Sequence, residues 1–292
     1  MSITMSLRLL AVHAHPDDES SKGAATYAHY LNLGCKVMIV SCTGGERGDI
    51  LNEIVRANPE AERDLAGLRR AEMRRAQEII GFEHRWLGFQ DSGLPEAGEA
   101  LPELSFAAIR KETAAAPLIK IVREFKPHVM LTYNEIGGYP HPDHIRCHEI
   151  SRIAWEESGK ADSYPEAGKP WEVKKLYYDE IFNADRIAAI KAHIEANDPD
   201  SEQVKELTNI FEILRERKSA ATAKISVADY FDLRDEALRA HASQVSPNDR
   251  FFFIENELQR AAWPFEDYRL AESRVPTSDS EDDLFAGIEG NA

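Results

Sequence analysis

The sequence predicts an α/β fold, a Rossmann-like, mostly parallel sheet with helices on both faces and a helical C-terminal portion. Three observations carry that expectation. Strand-like and helix-like segments alternate through the first half, the pattern of strand–helix–strand crossovers. Residues 36–42, Lys-Val-Met-Ile-Val-Ser-Cys, are apolar almost without interruption, as befits a strand covered on both faces. Beyond residue 183 the periodicity turns helical, with no convincing strand between the helical runs.

In chain order, 7–13 is the first strand and 20–33 the first helix, stopped by Gly34. A Gly-rich turn, 43–48, follows the second strand. Residues 68–80 have helical spacing through Leu68, Met73, Ala76 and Ile79, with Gly81 as the stop, and 85–89 is a short strand. Prolines at 95, 102 and 117 and weak periodicity make 90–117 a long surface loop, and loops of that length are usually functional or disordered. A helix over 118–125, a strand over 128–133, a helix ending near 157 and a strand over 174–182 complete a catalytic core, 1–183. Helices over 185–197, 201–218 and 230–242 fill a mainly helical portion, 184–275, packed on the same domain. From Thr277 onward there are five acids and no base, so 276–292 reads as a solvated, flexible acidic tail.

A chain of 292 residues can bury a full core without staples. Its net charge of −16 argues against nucleic acid or an anionic membrane as partner, since both repel it, and favours a small-molecule substrate. Three cysteines, Cys35, Cys42 and Cys147, make no even disulfide framework and suggest a reducing cytoplasm. The absence of a basic-then-apolar leader, and of any apolar run of about 18 residues, points to the same unanchored, cytoplasmic protein.

The chemistry concentrates at two strand-to-helix turns. The first strand runs into His-Ala-His-Pro-Asp-Asp-Glu at 13–19, and a later one leads to Tyr-Pro-His-Pro-Asp-His at 139–144. In the first turn His15 and Asp18 can point inward together, a donor pair that suits zinc, and a third protein ligand would leave one position for water. Asp17, beside them, can take a proton from that water. A helix cap accounts for one carboxylate, but two histidines and three acids in seven residues exceed what a cap requires. In the second turn His141 and His144 are three apart and share a helix face, so one can ligate while the other stays free to protonate a leaving amine or steady an oxyanion. Tyr139 can donate its phenol to the same oxygen. His148 and Cys147 have metal-like spacings to His144 that are more often packing coincidences, and spacing alone does not choose between His13 and His15.

Together these two motifs resemble the signature of the GlcNAc-PI de-N-acetylases, the LmbE-like zinc deacetylases. The continuation at 19–26, the run Thr-Gly-Gly-Glu-Arg-Gly-Asp-Ile-Leu-Asn at 43–52 and the stretch around 250–253 resemble the branch of mycothiol S-conjugate amidases within that family. The resemblance covers the chain to about Val275. It implies one zinc, with iron as an alternative metal, on His15, Asp18 and His144, and so chooses His15 over His13. It further implies Asp17 as general base and His141 as general acid or oxyanion partner, assisted by Tyr139. The sugar or inositol would be held by Arg69, with Glu72, and by Asp91. Lys22 stands where related inositol-sugar deacetylases tend to have a small polar residue, an exchange that favours the amidase branch. The implied substrate is a glucosamine-containing thiol conjugate whose N-acyl amide is cleaved to a mercapturate and glucosaminyl-inositol. Bacillithiol-type conjugates and plain N-acetylglucosaminides are the alternatives.

Readings from other classes fit less well. A binuclear phosphoesterase on a (β/α)₈ barrel also starts with His-x-His after a strand, but the second half supplies too few strands. A non-catalytic sugar-binding protein would lack the base or a ligand, and all are present. The 44–48 glycines follow the second strand and lack the spacing of a dinucleotide-binding loop.

Overall fold

A computed structural model describes residues 6–96, 98–216 and 219–289. The outer ends of the expected first and last segments (1–5, 290–292), residue 97 of the expected loop and 217–218 of the helix expected over 201–218 lie outside the described residues. Seven strands form one sheet: β1 (Arg8–His13), β2 (Lys36–Thr43), β3 (Glu83–Phe89), β4 (Val129–Thr132), β5 (Lys175–Asp179), β6 (Ala223–Ser226) and β7 (Phe265–Ser273), in the order β3-β2-β1-β4-β5-β7-β6. The first five run parallel, while β7 is antiparallel to both β5 and β6. The helices are α1 (Asp18–Ser21), α2 (Ala24–Asn32), α3 (Glu53–Arg56), α4 (Pro59–Arg63), α5 (Leu65–Ile80), α6 (Lys111–Phe125), α7 (Pro142–Glu157), α8 (Ala184–Glu195), α9 (Glu202–Leu214), α10 (Phe231–Ala240) and α11 (Asn256–Ala262).

Alternation along the strands divides the core into two layers. Leu9, Ala11, Val37, Ile39, Val129 and Leu131 face a core closed by α2, α5 and α10. Leu10, Val12, Met38, Val40 and Met130 face one closed by α6 and α7. Because β1 has β2 on one side and β4 on the other, the chain order reverses there. Open α/β sheets bind ligands in the crevice at such a reversal, outside the carboxyl ends of the strands. Both His-rich turns leave the sheet at that crevice.

Four expectations need correction. The helix over 20–33 is broken: Gly23, at φ 133°, separates α1 from α2, and a Cβ there would meet the Tyr27 hydroxyl at 2.6 Å. The break lets that hydroxyl reach His13 Nε2 at 2.8 Å. The loop over 90–117 ends early, because α6 starts at Lys111 and runs through Pro117. An interior proline costs a helix about 3 kcal/mol, but α6 buries Ala114, Ala115, Leu118, Ile119 and Val122, and that packing outweighs it. The C-terminal portion is not helical throughout, since β6 and β7 extend the sheet. The β7 pattern is masked by buried acids that have partners: Glu266 accepts from the Thr26 amide (2.9 Å) and hydroxyl (2.6 Å), and Asp267 from Asn183 (2.9 Å) and Trp263 (3.0 Å).

The acidic tail, finally, is solvated only in part: 276–280 are exposed, but Glu281 and the residues after it pack onto the domain. Glu281 exchanges backbone bonds with Lys224 (2.9 Å) and Thr222 (2.8 Å), and its carboxylate meets the fully buried Lys175 ammonium at 2.7 Å. Leu284, Phe285 and Ile288 are buried in the α2 layer, with Phe285 edge-on to Tyr30 at 5.1 Å.

Candidate metal centre and active site

His15, Asp18 and His144 converge as expected, each offering a ligand atom within 4.8 Å of the others. Asp18 is fixed locally: Oδ2 accepts the His15 amide (3.0 Å) and Oδ1 takes the Lys22 ammonium (2.5 Å). Burial works against its charge, but His144, Lys22 and His15 hold its pKa well below the usual carboxylate range.

His144 supplies the test of whether a metal fits. Its Nδ1 bonds to the Gly137 carbonyl at 3.0 Å, which leaves the Nε2 lone pair facing Asp18 Oδ2 at 3.4 Å. That nitrogen is buried and has no hydrogen-bond partner, and burial lowers the imidazole to about 3, so it is neutral at pH 7. A lone pair aimed at a carboxylate oxygen calls for a cation between them, and two imidazoles with one carboxylate suit zinc. Gly137 is required for this arrangement. It sits at φ 73°, and a Cβ would strike His144 Cβ at 2.6 Å.

His15 is crowded by carboxylates, with Nδ1 3.7 Å from Asp18 and Nε2 3.2 Å from Asp143 and 3.6 Å from Asp91. Burial lowers its pKa, yet Asp143 and Asp91 outweigh burial and raise it to about 10. The surroundings of this ring therefore demand positive charge. A second set of donors, His15, Asp91 and His141, also lies within 4.8 Å. It lacks the orphaned lone pair of the first. Asp143 had no assigned role in the sequence reading, although it stands inside the second motif. Here it accepts from the Ser92 amide (3.0 Å) and braces His15.

His13 lies outside the cluster, buried between the hydroxyls of Tyr27 (2.8 Å) and Tyr133 (3.2 Å). His148 bonds to the Tyr133 carbonyl and Cys147 lies against the Val12 carbonyl, so both are packing residues.

Asp17 has a different environment from its neighbour. Its backbone sits at φ 94°, ψ −31°, a conformation costing a non-glycine residue of order 1–3 kcal/mol. Its amide donates to Glu19 Oε2 (3.0 Å) and its carboxylate accepts from Arg69 (2.9 Å). Burial raises its pKa and Arg69 lowers it, leaving it at about 6, in the range of a general base near neutrality.

His141 caps α7 by accepting the Asp143 amide on Nδ1 (3.1 Å), so Nε2 remains for other work. Its ring lies 4.8 Å from that of His15, and Tyr139 lies 5.9 Å from His141 and 4.5 Å from His144. Burial and the Asp18 charge raise the Tyr139 phenol above its ordinary value, keeping it a donor.

A cleft of about 220 Å³ opens beside the cluster, lined among others by His15, Arg47, Asp49, Arg69, Asp91 and His141. Asp91 accepts the amides of Arg47 (3.0 Å) and Gly93 (2.8 Å), shaping this wall. Arg69 is nearly fully buried and bonds to Pro16, Asp17 and Gly45, so much of its guanidinium is engaged with the first turn. Glu72 does not reach the cleft and instead bonds the amide (2.6 Å) and hydroxyl (2.7 Å) of Ser243. Lys22 is not on the walls of the cleft; it lies on Asp18. His241, bonded to Glu19 at 2.7 Å, was missed, because no local motif marks it.

A family profile described as GlcNAc-PI de-N-acetylase matches residues 10–155. The chain belongs to that family. It is 45% identical to a mycothiol S-conjugate amidase of Streptomyces coelicolor, over 99% of this chain and 100% of that one. A 1D-myo-inositol 2-acetamido-2-deoxy-alpha-D-glucopyranoside deacetylase of Frankia alni is 35% identical over 95% of this chain and 99% of its own. Both relatives are named for hydrolysis of an amide. An N,N'-diacetylchitobiose deacetylase from Pyrococcus horikoshii has the same fold at a TM-score of 0.62 and 17% identity, covering 91% of this chain and 84% of that one. Among the described residues of this family member, no helix is long and apolar enough to cross a membrane.

Proposed function

We propose that this protein is a zinc-dependent amide hydrolase that cleaves the glucosamine N-acyl bond of a mycothiol S-conjugate, yielding a mercapturate and glucosaminyl-inositol. The observation that carries the chemistry is the orphaned His144 lone pair facing Asp18, with the Asp17 carboxylate next to Asp18 in the chain and held by Arg69. His15, Asp18 and His144 would hold the zinc, which when bound would supply Lewis-acid polarisation of carbonyl and water. Asp17 takes the proton of the attacking water as the new C–O bond forms. Tyr139 donates to the carbonyl oxygen as charge develops there, and His141 protonates the glucosamine nitrogen as the C–N bond breaks. The 220 Å³ cleft, with Asp91, Arg69 and Arg47 on its walls, suits a polyol rich in hydroxyls.

The substrate assignment draws on the 45% identity along both full lengths with the Streptomyces amidase. Lys22, a partly buried cation on Asp18, stands where the resemblance places the exchange that favours the amidase branch. The Frankia deacetylase supports a second reading, deacetylation of N-acetylglucosaminyl-inositol. The three free cysteines accord with a cytoplasmic location. Turnover on a mycothiol S-conjugate, a bacillithiol conjugate and N-acetylglucosaminyl-inositol, with and without chelator, tests the proposal. The mycothiol conjugate is expected to give the highest kcat/KM, abolished by chelation and restored by zinc. Equal values on all three would remove the amidase assignment, and activity indifferent to chelation would remove the metal.

A further inference from the structure

Asp17 is reached from two directions by one closed circuit of buried and part-buried contacts. Its amide donates to Glu19 Oε2 at 3.0 Å, and Glu19 Oε1 meets His241 Nε2 at 2.7 Å. Two residues beyond His241, Ser243 is bonded through amide and hydroxyl to Glu72 on α5. One turn away on the same helix, Arg69 bonds the Asp17 carboxylate at 2.9 Å and the Pro16 carbonyl at 2.6 Å. Glu19, His241 and Ser243 are fully buried, and Arg69 and Glu72 nearly so.

Two features give the circuit a purpose beyond packing. Asp17 holds a left-handed backbone that a non-glycine residue keeps only when its surroundings over-determine it. The Glu19 carboxylate on its amide is one such determinant, and His241 is what holds that carboxylate. In addition, His241 Nδ1 is buried with no hydrogen-bond partner, so an imidazole is a poor choice for merely filling this space.

We propose that Glu19 and His241 are positioning residues for the Asp17 base, fixing the peptide that aims its carboxylate while Arg69 fixes the carboxylate itself. This rests on the reading of Asp17 as the base. By this circuit α10 and the segment after it, far away in sequence, take part in the chemistry of the first turn without touching substrate.

The test is a double-mutant cycle on the zinc-loaded full chain, with kcat, KM, bound zinc and Tm measured for each variant. His241→Ala is expected to lower kcat by about 10²-fold, the effect of a small misplacement of a reacting group, with KM and zinc stoichiometry retained. His241→Gln, which can still donate to Glu19, is expected to recover a large part of kcat. In an Asp17→Asn background His241→Ala should add no further loss, because a residue acting only through Asp17 has nothing left to act on. A normal kcat in His241→Ala beside an inactive Asp17→Asn would overturn the positioning role alone. So would an equal further loss in the Asp17→Asn background, or zinc lost in step with kcat. If Asp17→Asn turned over at the wild-type rate, the base reading would fall and the positioning role with it. Should His241→Ala not fold, the isosteric Glu19→Gln completes the same cycle with the same expectations.

Discussion

The turns after β1 and β4 and the C-terminal region from β6 onward contribute to this enzyme in opposite ways. In the proposed mechanism the two turns supply the ligand set and the acid–base groups, within a few residues of the strands that carry them. Among the described residues the C-terminal region supplies no group to the candidate metal cluster, yet its segment around His241 braces the first turn and its last described residues close the core over α2. Chemistry is placed here by short local geometry, because a parallel strand ending at a chain reversal aims its loop into the crevice. Rigidity is supplied from a distance, through buried polar contacts that only the folded chain brings together.

The comparison can be tested by perturbing each region in turn. On the chemical side, Asp17→Asn should lower kcat by about 10²–10⁴-fold with bound zinc retained, the range for a lost general base. Asp18→Ala should lose stoichiometric zinc, read by metal analysis of the purified protein. A fully active, zinc-replete Asp18→Ala would show that the second donor set, with Asp91 and His141, holds the metal instead. On the supporting side, Glu281→Ala leaves the buried Lys175 ammonium unpaired and should cost about 3–5 kcal/mol in denaturant unfolding. Phe285→Ala, truncating a fully buried ring, should cost a similar ~3–5 kcal/mol. Neither should change kcat per folded molecule, and a fall in kcat would mean that the tail reaches the chemistry after all.

The smallest effect concerns pH. His84, bonded to Ser41 at 3.0 Å, is lowered to about 4, chiefly by burial. Its folded-state value lies below its ordinary 6.5, so between those two values the unfolded chain binds a proton that the folded one refuses. Its contribution to stability is thus complete above pH 6.5 and declines as pH falls toward 4. The slope is at most about 1.4 kcal/mol per pH unit for one proton. His84→Gln should flatten the stability curve across that window without altering it above pH 7, and an unchanged slope would assign the acid sensitivity to other groups.

How much of this was legible before folding differs between the same two regions. The parallel strands could be read because each is a short apolar run ended by a turn. The motifs could be read because His15 and Asp18, or His141 and His144, lie within one turn of each other. By contrast β7 carries Glu266 and Asp267 where a strand pattern expects apolar residues, and their partners Thr26 and Asn183 are remote in sequence. Glu281 and its neighbours read as solvent-loving until Lys175 appears beside them. Pro117 suggested a break that burial of the helix around it overrides. The resemblance singled out Arg69 as a sugar contact, but its engagement with Pro16 and Asp17 was not legible.

What the sequence alone determined is the chemistry of the two turns: which donor types stand where, on strands whose apolar runs compel a buried sheet. Periodicity and short spacing are local, and a candidate metal site assembled from two local motifs inherits that legibility. What only the tertiary structure decided is the division of labour among those residues and their supports. It leaves His13 between two tyrosines, directs the His144 lone pair at Asp18, and brings His241 to Glu19. Each of these depends on contacts between residues far apart in the chain. Burial gives such contacts their strength, because an unmet polar group is costly only where water cannot reach it.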